Sequence, residues 1–102
     1  DWGRIANLYA VLSRGWPSPV IELNRAIAVG FAEGPAAGLA VLDTVAEAPA
    51  LQRYHLLPSV RGDLLLRLGR TAEARAEFLR GAALAGNAQE RAFLNRRAAD
   101  CG

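Results

Sequence analysis

One histidine, His55, and one cysteine, Cys101, are the residues that could support general-base or nucleophilic chemistry. Local spacing places no Ser, Cys or carboxylate beside His55, which favours a role at a helix start or in packing. Cys101 has no neighbouring group that would activate its thiol, so we interpret the thiol as inert. The sequence contains no Cys or His pair at metal-ligand spacing, and no glycine-rich phosphate loop. We therefore predict no catalytic, cofactor-binding or metal-binding residues, and we expect that the chain is not an enzyme.

The positive charges are all arginines, and they are concentrated in the second half of the chain. Residues 1–51 carry three Arg and five acidic residues, whereas residues 52–102 carry nine Arg and five acidic residues. Arg91, Arg96 and Arg97 cluster near the C-terminus and form a candidate basic patch for nucleic acid. Acidic residues such as Glu77 and Glu90 interrupt this excess. The pattern therefore favours a solvated face of paired charges, with an acidic protein partner as the next alternative.

Two further groups of side chains can each be interpreted in two ways, as a ligand-binding site or as part of the structural framework. Trp2, Tyr9 and Trp16 are spaced by seven residues, which favours a core stripe of one helix over an aromatic ligand platform. Asn24 lies beside the apolar stripe of the next helix, where its amide requires a partner. A bond to a neighbouring loop carbonyl is slightly favoured there over a ligand.

Composition and helix breakers predict an all-α fold. The chain has 21 Ala and 15 Leu, but Val, Ile and Thr number only 11 together. Gly and Pro divide it into six helical segments that begin near residues 1, 18, 34, 54, 71 and 87. We expect the third helix to reach Glu47, because the residue before Pro49 avoids helical angles. Pro58 falls in the first turn of the fourth helix, where proline is tolerated.

Local side-chain chemistry supports several of these helices. Ser18, Thr71 and Asn87 stand where each can cap the start of a helix. Glu22 and Arg25 are three residues apart on the second helix and can form an ion pair on its outer face.

One segment in the second half resembles the tetratricopeptide repeat, a helix–turn–helix unit of about 34 residues. It starts at Arg61 and reads RGDLLLRLGRTAEARAEFLRGAALAGN. The small, turn and aromatic positions of that repeat fall on Gly62, Gly69, Ala74, Phe78 and Gly81. Small residues allow two helices to cross closely, and a large ring fills the space beside them.

The first half carries a weaker version of the same pattern. Residues 23–47 contain a similar helix pair, with Ala26, Gly38 and Leu42 in comparable places. The resemblance implies about six short helices in antiparallel helix–turn–helix pairs, which stack into a right-handed superhelical array.

The order of several motifs points to a narrower family. Asp1–Trp2 opens a D-W-x-x-I-x-x-L-Y pattern, followed by PSPVIELNRAIAV, EGPAAGLAVLD, YHLLPSVRGDLLLRLGR and NAQERAFLNRR. This series resembles the C-terminal extension of bacterial extracytoplasmic-function sigma factors. Residues 1–102 are then expected to form a single tetratricopeptide-like domain, a C-terminal fragment of a longer protein. The absence of Met agrees with that expectation.

The resemblance implies a regulatory, protein-interacting role in transcription initiation, without a cofactor. The expected partners are the sigma domains, RNA polymerase or a regulator, and promoter DNA is contacted only through upstream domains, which this sequence does not contain. Repeats of this kind bind through the concave face formed by the first helix of each pair. No apolar run reaches the roughly 18 residues of a membrane span, so we expect no membrane binding and a cytoplasmic protein. The candidate partner-binding residues on the concave face are Asn24, Ile27, Ser59, Asp63 and Arg67.

Two alternatives remain open at this point. One is direct binding of nucleic acid through the arginines of the C-terminal half. The other is an unrelated helical scaffold that binds a peptide or a small molecule.

Overall fold

A computed structural model describes residues 1–101 of the chain. Over these residues the predicted all-α fold is confirmed, and no strand is present. Six helices follow one another, with a short 3-10 turn at Pro49–Leu51 between the third and the fourth. The helices are α1 (Trp2–Gly15), α2 (Pro19–Glu33), α3 (Pro35–Asp43), α4 (Leu56–Arg67), α5 (Thr71–Leu84) and α6 (Ala88–Asp100).

The chain is organised as two helical units. The first comprises Asp1–Gln52, where α1 and α3 both pack against α2. Its core is formed by small and aliphatic side chains, which allow the helices to approach closely. The residues buried most completely in this unit are Leu23, Ala26, Ala28, Leu42 and Leu51.

The second unit begins at Arg53, and here α4 and α6 both pack against α5. Gly62 of α4 lies directly against the buried ring of Phe78 of α5. A Cβ atom at position 62 would be only 2.8 Å from Cε1 of Phe78. The turn between these helices contains Gly69, whose φ of 78° lies in the left-handed region that favours glycine. The contact and the turn that the repeat pattern predicted for these positions are therefore confirmed.

The predicted helix caps are realised only in part. Asn87 caps α6, since its side-chain oxygen accepts a hydrogen bond of 2.8 Å from the Glu90 amide. Ser18 occupies the position before α2 but makes no side-chain cap bond. The prediction for Thr71 is wrong: this residue is the first of α5, and Arg70 stands at the cap position.

The third helix is shorter than predicted, because it ends at Asp43 and not near Glu47. The Thr44 hydroxyl donates a 2.7 Å hydrogen bond to the carbonyl of Val41, and the Thr44 amide bonds to the same carbonyl. These bonds compete with continuation of the helix. The chain then turns and places Leu51 in the core.

The predicted aromatic core stripe is also wrong for Trp2, which begins α1, and for Trp16, which follows its last residue. Trp16 is 75% exposed and Trp2 is 45% exposed, whereas the buried residue of this helix is Ala6. Because α1 packs chiefly on α2, only part of its wide apolar stripe is covered. Trp2 instead stacks on Phe31 of α2, with ring centroids 4.6 Å apart.

None of the helices within residues 1–101 combines the length and the apolar character needed to cross a membrane.

Candidate functional site

Two ridges of side chains face each other in the second unit. Residues 55, 59, 63 and 67 are spaced by four, so they form one ridge along α4 and the residue that precedes it. Residues 90, 93, 94 and 97 form the matching ridge on α6. We call these two ridges, together with Leu56, the α4–α6 face. Both helices are held by packing against α5, which sets the distance between the ridges.

An ion-pair cluster lies toward the C-terminal ends of both ridges. The Asp63 carboxylate accepts a 2.9 Å hydrogen bond from Nη2 of Arg97 across the two helices. Its other oxygen lies 3.1 Å from Nη2 of Arg67, one turn further along α4. One carboxylate thus pairs with two guanidinium groups. All three side chains are roughly one-third exposed, so the cluster is accessible from solvent.

A second polar contact crosses the face near the N-terminal end of each helix. Nε2 of His55 lies 3.6 Å from a carboxylate oxygen of Glu90. The same Glu90 oxygen accepts a 3.4 Å hydrogen bond from the Gly86 amide. Sequence spacing placed no carboxylate beside His55, because Glu90 is distant in the chain and approaches only through the packing of α4 and α6 on α5.

A small apolar cavity of about 150 Å³ lies between the two polar contacts along the ridges. Phe93 and Leu56 border it and are 54% and 39% exposed, respectively, so two large apolar side chains reach solvent here. Ser59 donates its hydroxyl hydrogen to the carbonyl of His55 at 2.8 Å and is therefore satisfied within α4. The complete lining is His55, Leu56, Ser59, Glu90, Phe93 and Leu94.

The predicted concave-face residues fall on separate elements. Ser59, Asp63 and Arg67 are brought together on the α4–α6 face of the second unit. Asn24 and Ile27 lie half-buried on α2 of the first unit. The Asn24 amide donates a 3.1 Å hydrogen bond to the Val20 carbonyl of its own helix. The predicted bond to a neighbouring loop carbonyl is therefore wrong.

The structure does not assemble the three arginines of the candidate basic patch on one surface. At 100° per residue, positions 91, 96 and 97 point in three directions around α6. Arg91 lines a shallow depression beside Leu79 of α5, and Arg96 is exposed. Arg97 turns toward α4, where it pairs with Asp63. Its guanidinium carbon also lies 4.9 Å from the centre of the Phe78 ring.

A cleft of about 570 Å³ in the first unit lies where α1 meets the start of α2. The predicted ion pair of Glu22 and Arg25 lines it and is confirmed at 3.0 Å. The side chain of Glu22 is only 16% exposed, however, and it also accepts a hydrogen bond from the Ser13 hydroxyl of α1. This hydrogen-bonded carboxylate raises the pKa of Arg25. The contacts connect α1 to α2, and we assign them a structural role.

Two titratable residues outside the α4–α6 face, Cys101 and Glu73, make local hydrogen bonds. Within residues 1–101 no group of three potential metal ligands occurs. The Cys101 thiol donates a 3.3 Å hydrogen bond to the Arg97 carbonyl. The pKa of the Glu73 carboxyl is lowered by its hydrogen bond to Arg70 on the surface.

Comparison with known proteins adds one relative. The chain is 48% identical to an uncharacterized protein of Rhizobium meliloti strain 1021 over 94 residues. The match covers 92% of this chain but only 22% of the relative, so the chain spans about a fifth of that protein's length. No protein-family model matches the chain. No solved structure is significantly similar to it.

Proposed function

We propose that this chain is a protein-interaction module that modulates transcription initiation as part of a protein similar to extracytoplasmic-function sigma factors. In this proposal it does not carry out chemistry itself. The observation that carries the interaction role is the α4–α6 face, which presents partly exposed apolar side chains beside a partly exposed ion-pair cluster. Interaction surfaces commonly combine a central apolar patch with a polar rim.

The assignment to transcription depends on the resemblance of the ordered sequence motifs. The separate resemblance to the tetratricopeptide repeat placed Gly62 against Phe78, which is where the structure has them, and this contact supports the helical-repeat organisation only. The Rhizobium protein is several times longer than this chain, as expected if the chain corresponds to one part of a larger protein. The proposed partners are sigma domains, RNA polymerase or a regulator, all in the cytoplasm.

Direct binding of nucleic acid is the weaker candidate. Three arginines that point in different directions from α6 offer no continuous track for a phosphate backbone. Any association of the chain with DNA should be independent of sequence and should disappear on addition of salt. A mobility-shift assay at two salt concentrations measures both properties, and tight promoter-specific binding would favour this candidate.

Reporter transcription from a target promoter tests the proposed function. We expect the double substitution Asp63→Arg with Arg67→Glu to alter transcription, because reversed charges at an interface mispair with the partner. Deletion of residues 1–102 should also alter transcription or its regulation. If even this deletion leaves both unchanged, the proposed function is wrong.

A matched control separates a lost interface from lost stability. The Arg70–Glu73 pair is an exposed ion pair of 2.7 Å outside the α4–α6 face. The reversed pair Arg70→Glu with Glu73→Arg should leave transcription unchanged. Melting temperatures of both variants should be compared, because Asp63→Arg also brings a second positive charge opposite Arg97.

A further inference from the structure

We infer that the chain forms a two-fold symmetric dimer through the exposed side of α1, which packs antiparallel to α1 of a second copy. That side carries four large apolar side chains with exposed fractions between 43% and 75%. They are Leu8, Val11, Leu12 and Trp16, and we call them, together with the half-buried Ile5, the α1 seam. The dimer does not depend on the proposed function, because the α1 seam lies outside the α4–α6 face.

The spacing of the seam residues indicates that the surface that covers them is a helix. Ile5, Leu8 and Leu12 are separated by three and four residues, which is the spacing found where two helices pack at a small angle. At 100° per residue, Leu8 and Leu12 point about 160° and about 120° away from Ala6, the buried residue of α1. The α1 seam therefore faces away from the core of the first unit.

The composition of the α1 seam selects a second copy as the helix that covers it. Residues 5–13 contain no Asp, Glu, Lys or Arg, so the surface is complementary to another uncharged apolar surface. Among the described residues, no other helix exposes a row of large apolar side chains. Those exposed elsewhere stand singly or at least eleven residues apart on one helix: Val20, Phe31, Leu56, Leu68, Leu79 and Phe93. The matching seam is therefore that of α1 in a second copy.

The exposed area of the α1 seam fits one side of a small dimer interface. A tryptophan side chain presents about 250 Å² and an aliphatic side chain about 100 Å², so the exposed fractions correspond to about 350 Å² of apolar surface. Specific interfaces at the lower end of the size range bury about 600 Å² per partner, of which roughly 60% is apolar. The two apolar areas agree, and we expect a reversible dimer.

An antiparallel arrangement places a large side chain opposite a small one. When Leu8 faces Leu12 of the second copy, Ile5 faces Gly15 of that copy. A Cβ atom added at Gly15 would meet nothing within 4 Å, so this position has room for the larger side chain. The same register places Val11 beside the two-fold axis. The macrodipoles of antiparallel helices also oppose each other, which is electrostatically favourable.

Sedimentation equilibrium of the full chain of 102 residues measures the dimer directly. We expect the apparent mass to rise from that of the monomer toward twice that value as the concentration increases through the micromolar range. Leu8→Glu should weaken dimerisation at least about tenfold, because each dimer would bury two unpaired carboxylates. Leu79→Glu is the matched control, since Leu79 is 46% exposed on α5, outside the α1 seam. This variant should dimerise like the native sequence.

Tryptophan fluorescence provides a second measurement. Trp2 and Trp16 are two heptads apart on one flank of the α1 seam, so antiparallel packing brings Trp2 close to Trp16 of the second copy. The emission of the native chain should therefore move to shorter wavelengths as its concentration rises, and the emission of Leu8→Glu should not. Trp16→Ser removes a side chain that is 75% exposed and follows the last residue of α1. It should also weaken the dimer, so the test holds even if Leu8→Glu fails to fold.

Cysteine cross-linking tests the orientation of the two helices. In a Cys101→Ser background, a short bifunctional maleimide should join Val11→Cys to its copy, whereas Leu79→Cys should remain monomeric. Ready disulfide formation by Leu8→Cys would mean that this position faces itself, as in a parallel pair, and would contradict the antiparallel arrangement.

Two results would overturn the dimer itself. One is a native chain that sediments as a monomer at a concentration of about 1 mM. The other is equal dimerisation of Leu8→Glu, Trp16→Ser and the native sequence, which would place the contact outside the α1 seam.

Discussion

Substitution of Gly62 by alanine tests the close helix crossing on which the second unit depends. The new Cβ would lie 2.8 Å from Cε1, 2.9 Å from Cδ1 and 3.0 Å from Cζ of Phe78. These distances are shorter than van der Waals contact, so either the ring or α4 must move. The ring is 2% exposed and lies beneath Arg97, and it therefore has little freedom to rotate away.

Two opposing effects determine how much Gly62→Ala changes the free energy of unfolding. Replacing Gly by Ala in a helix interior stabilises the helix by up to about 1 kcal/mol. Overpacking of a well-filled core costs typically about 1 to 3 kcal/mol. We therefore expect a net loss of about 0 to 2 kcal/mol for Gly62→Ala. Gly62→Leu should lose more, because three further carbon atoms enter the same crossing.

A helical glycine without neighbours isolates the overpacking. Gly15 is the last residue of α1, and a Cβ there would meet nothing within 4 Å, so Gly15→Ala introduces no clash and gains at most the helix propensity of an interior position. Gly62→Ala should therefore be less stable than Gly15→Ala, by up to about 3 kcal/mol. In a small domain each 1 kcal/mol corresponds to a difference in melting temperature of roughly 4 to 8 °C. Thermal unfolding followed by far-ultraviolet circular dichroism measures the difference.

A double-mutant cycle identifies the partner of Gly62. In a Phe78→Leu background the clash with the ring is absent, so Gly62→Ala should become less destabilising by about 1 kcal/mol or more. If both alanine variants are stabilised equally, or if Gly62→Ala has the same effect in the Phe78→Leu background as in the native sequence, the crossing is not where we place it. The repeat register would then be wrong as well.

Three further predictions concern the caps and ion pairs. Asn87→Ala removes the side-chain cap of α6 and should cost about 1 kcal/mol in urea unfolding, without a change in the slope of the transition; an unaltered midpoint would contradict the cap. Glu22→Gln removes the charge that connects α2 to the Ser13 hydroxyl and to Arg25, and we expect a loss of roughly 1 to 2 kcal/mol by the same measurement. The pKa of Glu73 is lower in the folded than in the unfolded chain, so the stability from its pair with Arg70 is present above about pH 4.5 and is lost as the pH falls through the folded value. The melting temperature of the native sequence should therefore fall more between about pH 5 and pH 3 than that of Glu73→Gln, and parallel curves would argue against this pair.

The helices could be predicted from the sequence because their starts depend on local chemistry. Pro19 and Pro35 begin α2 and α3 in the position where proline has no amide hydrogen bond to lose. Gly69 forms the turn between α4 and α5, where it adopts a positive φ that other residues avoid. The contact of Gly62 with Phe78 is not local, but the repeat pattern encodes it, because a small residue and a ring recur at fixed separation.

The α4–α6 face could be predicted only in part, because its pairs depend on tertiary packing. Asp63 and Arg97 are 34 residues apart, and nothing in either helix alone indicates that they meet. The spread of Arg91, Arg96 and Arg97 could have been recognised from helical geometry, since residues that are adjacent in sequence lie on different sides of a helix. The exposure of Trp16 could not have been recognised from the sequence. Its seven-residue spacing from Tyr9 is compatible with a buried stripe and equally with an exposed one.

Phe78 links the part of the fold that sequence predicts well to the part that it does not. One side of the ring packs against Gly62, in the crossing that holds α4 on α5. Arg97 of α6 lies over the same ring, and its guanidinium group also reaches Asp63 of α4. One buried side chain therefore fixes both the separation of α4 from α5 and the position of a charged group on the α4–α6 face. The aromatic position of the repeat thus positions the surface that we propose binds a partner, as well as filling the core.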